Sequence, residues 1–171
     1  MCRRTGTLAG SLIVATVLAL GVGALPASGD DPTRINFRVT LTSQQQILEQ
    51  VGAGGEQTYG WNELTGTATT SSGDVQVQML GNVEYVDGSG PFFGFLTLRF
   101  ASLSTLGLRM KGTATVRDDG STDLKAMLRV VGGNAAMTGA KGRGKITGER
   151  RQELGGAIEI TVTLRLRGIG S

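Results

Sequence analysis

A chain of 171 residues with one cysteine and no histidine has length enough for one ordinary domain. It has too little Cys and His for a disulfide framework, a Cys/His zinc site or a histidine-based triad. The formal net charge is +3, and Arg3 and Arg4 supply two of those charges, so the positive balance does not point to a nucleic-acid partner, which would need a clustered basic face.

In chain order, the first element is a targeting segment. Arg3 and Arg4 precede the uncharged run Leu8 to Leu25, and small Ala27 and Gly29 precede Asp30 and Asp31. A positive start, an apolar core and a small-residue exit read as a secretory signal over 1–29, leaving one domain over 30–171. The apolar run is close to the roughly 20 residues that span a bilayer. An uncleaved anchor is therefore the alternative, although Gly21, Gly23 and Pro26 favour cleavage. The expected location is secreted or extracytoplasmic, and Cys2 would leave with the signal.

From there the chain alternates apolar and polar residues, the period of strands with one buried face. "INFRVTLT" puts Ile35, Phe37, Val39 and Leu41 on one side. "SQQQILEQV" at 43–51 is the one helix-compatible piece, a short helix or a loop. "TYGWNEL" puts Tyr59, Trp61 and Glu63 on one face. "VQVQM" aligns Val75, Val77 and Met79, and Tyr85 follows Val83 at the same spacing. Phe92 and Phe93, after Pro91, are expected to cap a mouth, and Leu96, Leu98 and Phe100 to fill core. In "LGLRMKGTATVR", Leu106, Leu108 and Met110 oppose Arg109 and Lys111. "DLKAMLRV" aligns Leu124, Ala126 and Leu128, and "AIEITVTLRLR" sets Val162, Leu164 and Leu166 against Arg165 and Arg167.

Counted this way, strands fall at about 34–42, 57–69, 74–86, 92–101, 106–117, 122–131, 142–150 and 157–167, separated by turn signals such as "DGSGP" and "DDGS". No gap is long enough for a crossover helix, so the strands pair antiparallel. The expected fold is all-β, an eight-stranded antiparallel up-and-down β-barrel, which leaves no exposed edges. A two-sheet β-sandwich has the same strand signature and is the runner-up.

"GAKGRGKIT" at 139–147 nearly matches a phosphate-binding loop, but Ile146 stands where a Ser or Thr hydroxyl is needed. Such a loop also leads into a helix, and Gly148 with Gly155 and Gly156 leaves no room for one. Alternation accounts for the stretch better. Gly142, Gly144, Ile146 and Gly148 face one way, and Lys141, Arg143, Lys145 and Thr147 the other. Inward glycines would leave space in the lumen of a barrel just wide enough for one small ligand.

"DGSGPFFGFLTL" at 87–98, "LGLRMKGTATV" at 106–116 and "RVVGGNAAMTGAKGRGKITGER" at 129–150 resemble the allene oxide cyclase-like barrels, the superfamily that also holds the dirigent proteins. The resemblance spans roughly residues 74–150 and reads as a secreted bacterial member. Where the family often has Gly-Gly-Thr-Gly, an aromatic and Gly-Ala, this chain has Gly132, Gly133, Asn134, Ala135, Ala136, Met137, Thr138, Gly139 and Ala140, so Asn134, Ala135 and Met137 depart from the pattern. The resemblance implies an eight-stranded barrel with an apolar lumen and an activity that holds a flexible apolar substrate in one shape: epoxide closure to a cyclopentenone, [4+2] cycloaddition of linear polyketides, or steering of radical coupling. The water-holding residues of the plant cyclases have no match in "INFRVTLTSQ".

The expected ligand-binding residues are Tyr59, Trp61, Met79, Tyr85 and Leu98, with Met110, Leu128, Gly142 and Gly144. Gly148, Val162 and Leu164 also point inward in this reading. Tyr59, Trp61 and Glu63 would form a ligand wall if their face is inward, and a barrel-end plug otherwise. No two carboxylates are spaced for acid–base work, so no catalytic residue is assigned. No metal or cofactor is implied. The expected function is a cyclase or isomerase that folds a linear apolar small molecule in its lumen. The alternative is a secreted protein that binds such a molecule without turnover. No nucleic acid is expected as partner, and no membrane once the signal is removed. Relatives often form dimers or trimers, which leaves a homo-oligomer open.

Overall fold

The structure is a computed structural model that describes residues 31–169; the signal expected over 1–29 lies outside them. Eight strands follow one another: β1 Thr33–Val51, β2 Gln57–Thr70, β3 Gly73–Val86, β4 Gly90–Phe100, β5 Thr105–Val116, β6 Thr122–Gly133, β7 Lys141–Arg150 and β8 Ile158–Arg167. A 3-10 turn, Ala135–Met137, links β6 to β7. Each strand pairs antiparallel with the next, and β8 returns to β1, so the sheet closes into a barrel. The alternation read from the sequence therefore belongs to one closed sheet, not to a two-sheet sandwich.

The stretch 43–51, expected as a short helix or loop, is instead the second half of β1. Thr33 to Leu41 pair with β8, and Thr42 to Val51 pair with β2. The register shifts between Ser43 and Gln45, leaving Gln44 as an extra residue. Such a bulge turns the strand sharply, here at the point where β1 leaves one partner for the other. The bulge also moves the inward face from odd to even positions, from Leu41 to Leu48. With three glutamines in a row, that shift removes the period-two signal.

The inward faces make one core. Leu41, Leu96, Leu98, Leu106, Leu108, Val162, Leu164 and Leu166 are fully buried, and burying each such side chain contributes about 1.5–3 kcal/mol. Local chemistry fixes the register at the hairpin between β3 and β4. Val86 and Ser89 exchange both backbone hydrogen bonds. The two residues between them, Asp87 and Gly88, both have positive φ, 49° and 75°, as a two-residue primed turn requires.

The glycines of β7 behave differently from expectation. Gly142, Gly144 and Gly148 do share the inward side of β7, but they leave no free volume. A Cβ on Gly144 would overlap the carbonyl oxygen of Thr163 and come within 2.5 Å of Leu164 Cδ2. Gly142 meets Arg165 and Leu166 of β8 in the same way, and Gly148 meets Glu159 and Ile160. On β2, Gly60 and Gly66 lie equally close to β1. Bare backbone at these positions lets the sheet curl tightly while leucines of β8 and β1 lean over it.

Candidate functional site

The loops between β1 and β2, β3 and β4, β5 and β6, and β7 and β8 gather at one end of the barrel. A cavity of ≈ 60 Å³ lies inside this end, hereafter the mouth. Its wall is mostly apolar, with Leu64, Met79, Phe92, Met110, Ile146 and Ile160 among the lining residues, and Leu154, Gly155 and Gly156 of the β7–β8 loop at its edge. The polar side chains that face into it are those of Asn62, Tyr85 and Arg150.

Arg150 is the last residue of β7 and only 6% exposed. Alternation brings it inward, two residues beyond Gly148 and four beyond Ile146. Its Nη2 donates to the Thr122 hydroxyl on β6 at 3.1 Å, across the strand pair in which the two residues are directly opposite. Its guanidinium carbon lies 5.9 Å from the centre of the Tyr85 ring. Tyr85 sits on β3, four strands away around an eight-stranded barrel, so the arginine crosses the lumen from one wall to the facing one. Its Nε is buried without a hydrogen-bond partner, and among the described residues no carboxylate pairs with it.

A guanidinium is not deprotonated in proteins, so this is a buried positive charge without a counter-charge, an arrangement that costs stability. The phenol of Tyr85 is 2% exposed. Burial pushes its pKa above the ordinary value of 10.0, and the positive charge of Arg150 opposes that rise only in part. Tyr85 is therefore a protonated hydrogen-bond donor at neutral pH, next to a fixed cation, in a mostly apolar chamber. Asn62 is also buried, and its Oδ1 accepts from Ser43 Oγ at 2.8 Å. Such a set can bind an oxygen that carries negative charge, or that acquires it during a reaction.

Of the residues expected from the sequence, the structure brings Met79, Tyr85 and Met110 together around the cavity. Leu98 and Leu128 are buried in the core beyond it, as are Val162 and Leu164. Gly142 and Gly144 do not line it, because β8 fills the space beside them. Tyr59 and Trp61 are not a lumen wall. The inward residues of β2 are Gly60, Asn62 and Leu64, and the other parity faces outward. Tyr59 is 45% exposed, Trp61 lies opposite Ile47 and Asn82 on the outer surface, and Glu63 accepts a hydrogen bond from Gln78 there. Phe92 and Phe93 likewise split, one into the cavity and one outside. Arg150, Asn62 and Thr122 were not anticipated. Extending the Gly142–Gly148 alternation by one step identifies Arg150.

Charge is distributed along the barrel axis. Asp87, Asp118, Asp119, Asp123, Glu149, Glu153 and Glu159 cluster toward the mouth. The four ion pairs among the described residues, Arg38–Glu159, Arg117–Asp123, Arg117–Glu149 and Arg151–Glu149, lie toward that end too. Around the opposite half, the outward residues include Arg34, Arg143, Arg165, Lys141 and Arg167. No described helix is long and apolar enough to cross a membrane.

Among solved structures, the chain is similar to that of a pterocarpan synthase dirigent protein, with a TM-score of 0.52 and 12% sequence identity over 92% of this chain and 98% of that one. The barrel thus has the dirigent-like fold that the sequence resemblance implied. No family model matches the sequence, and no curated protein does.

Proposed function

We propose that the barrel binds a linear apolar small molecule (a polyene, polyketide or lipid-derived chain) through a carboxylate or enolisable carbonyl oxygen held by Arg150 and Tyr85, and directs its ring closure. The observation that carries this reading is the unpaired guanidinium inside an apolar cavity. A ligand oxygen supplies the counter-charge that the described residues lack, with the charge-assisted geometry arginine favours. The Tyr85 phenol donates to the same oxygen, and Met79, Met110 and Phe92 pack against the hydrocarbon. The adaptable thioethers suit a chain of irregular shape.

Holding a flexible chain folded before reaction removes entropy that would otherwise add to the barrier. A fixed cation next to a carbonyl stabilises the negative charge that grows on its oxygen as bonds reorganise. Among the described lining residues there is no carboxylate to act as a base, which favours a closure that needs no proton abstraction, such as a [4+2] cycloaddition. The chamber is small beside the roughly 300–1,000 Å³ of pockets that enclose a drug-sized ligand. The head group therefore occupies the chamber, and the rest of the chain runs out past Leu154, Gly155 and Gly156. The same lack of a base supports a second reading, a carrier that does not turn its ligand over. In either case residues 1–29 direct export, and intact-mass measurement of secreted protein checks their removal.

Calorimetric titration with a conjugated polyene carboxylate, its methyl ester and the parent hydrocarbon tests the site. The carboxylate should bind at least tenfold more tightly than the hydrocarbon, and Arg150→Met should abolish that preference. Equal affinity for all three ligands would remove the proposal. Chiral chromatography after incubation with a tethered diene and dienophile separates the two readings: an excess of one stereoisomer supports a cyclase, and a racemic product at the background rate leaves the carrier.

A further inference from the structure

Register places five arginines side by side on the outer wall. Arg34 on β1 is opposite Arg165 on β8, Arg165 is opposite Arg143 on β7, Arg143 is opposite Arg129 on β6, and Arg129 is opposite Arg109 on β5. All five are exposed. Among the described residues none of them forms an ion pair. Like charges directly opposite one another in a sheet are destabilising, and here that cost recurs at four successive strand pairs. Carboxylates facing the same strands lie elsewhere: Asp123, Glu149 and Glu159 are each six residues along from their strand's arginine, about 20 Å away at the rise of a strand. A row with no internal compensation is built for external anions.

We propose that this row is a binding site for a linear acidic polysaccharide, one carboxylated sugar ring to each strand. Adjacent strands are about 4.8 Å apart, so the row offers one guanidinium per strand at a spacing close to the length of one sugar ring. The planar fork of arginine suits carboxylates. The row crosses five of eight strands and so bends around half the barrel. A flexible chain can follow that curve, whereas a flat bilayer or a straight duplex meets only part of it. A single-stranded nucleic acid gains affinity from bases stacked on aromatic rings, and no aromatic side chain interrupts the row, with Phe95 only at its end beside Arg109. The next row supplies groups suited to sugar hydroxyls, Asn36 and Thr163, which share a hydrogen bond of 3.1 Å.

Fluorescence anisotropy of a labelled oligogalacturonate with the full chain tests this site. Binding should weaken with rising salt, with a log–log slope set by the number of charges neutralised. Arg129→Gln with Arg143→Gln should reduce affinity at least tenfold and the slope by about two, with an unchanged or raised melting temperature. Arg38→Gln with Arg151→Gln, which removes two cations near the mouth, should leave affinity within twofold. No measurable binding of the oligogalacturonate, or an equal loss in both double variants, overturns the proposal. So does tighter binding of a single-stranded oligonucleotide, or of vesicles rich in anionic phospholipid.

Discussion

In the proposed site Arg150 selects what the lumen accepts, and its burial costs stability. Arg150→Met keeps the apolar stem and removes the buried charge with its unpartnered Nε. It also loses the bond to Thr122. An unsatisfied buried polar group costs about 1–3 kcal/mol, and replacing buried charge by apolar groups is often neutral or stabilising. Stability by denaturant titration should therefore be unchanged or higher by up to about 2 kcal/mol, even though ligand affinity is lost. Tyr85 supplies the complementary reading. Its folded pKa is raised above 10.0, so the folded state keeps a proton that the unfolded state releases. Its contribution is fully present below about pH 10 and is lost as pH rises through the folded value. Ultraviolet difference titration should show one phenol ionising late, and Arg150→Met should delay it further, because the positive charge that lowers its pKa is gone. Earlier ionisation in that variant would contradict the assigned contact.

Along single elements, the glycines of β7 are constraints of packing. Gly144→Ala should lower stability by about 1–3 kcal/mol, since its Cβ has no room against Thr163 and Leu164. A neutral result would mean that β7 and β8 are further apart than the structure shows. Seven of the eight strands were legible from alternation because one face is buried along nearly their whole length, and that pattern survives any choice of partner. The second half of β1 was not, because the bulge at Ser43/Gln45 reverses the parity among polar residues. Alternation sets the glycines of β7 on the correct face but does not carry their consequence. Whether a missing side chain leaves a void or admits a neighbour depends on Leu164 and Leu166 across the strand pair, which a single strand cannot reveal. The site was half legible. Met79, Tyr85 and Met110 alternate with the core, whereas Tyr59 and Trp61 have the chemistry of a ligand wall but the parity opposite to inward Leu64.

For the whole molecule, register turns scattered cations into a belt. In sequence, Arg109, Arg129, Arg143 and Arg165 are separated by turns and strands and read as ordinary solvated positions. Closure of the barrel sets them next to one another, with most of the acidic residues toward the mouth. A formal net charge of +3 conceals this separation. At neutral pH and low salt, the protein should be retained on anion-exchange as well as cation-exchange resin, because each resin meets the end it attracts. Neutralising Arg129 and Arg143 should weaken retention on the cation exchanger alone. Passage straight through the anion exchanger would show that the two ends are not electrically distinct.

That axial polarity gives the barrel a preferred posture. Near a negatively charged surface or fibre, torque on the molecule turns the arginine belt inward and the acidic rim outward before any contact forms. A barrel standing this way keeps its opening toward the surrounding fluid. Attachment and filling, as proposed above, then use opposite ends of one rigid wall and need not compete.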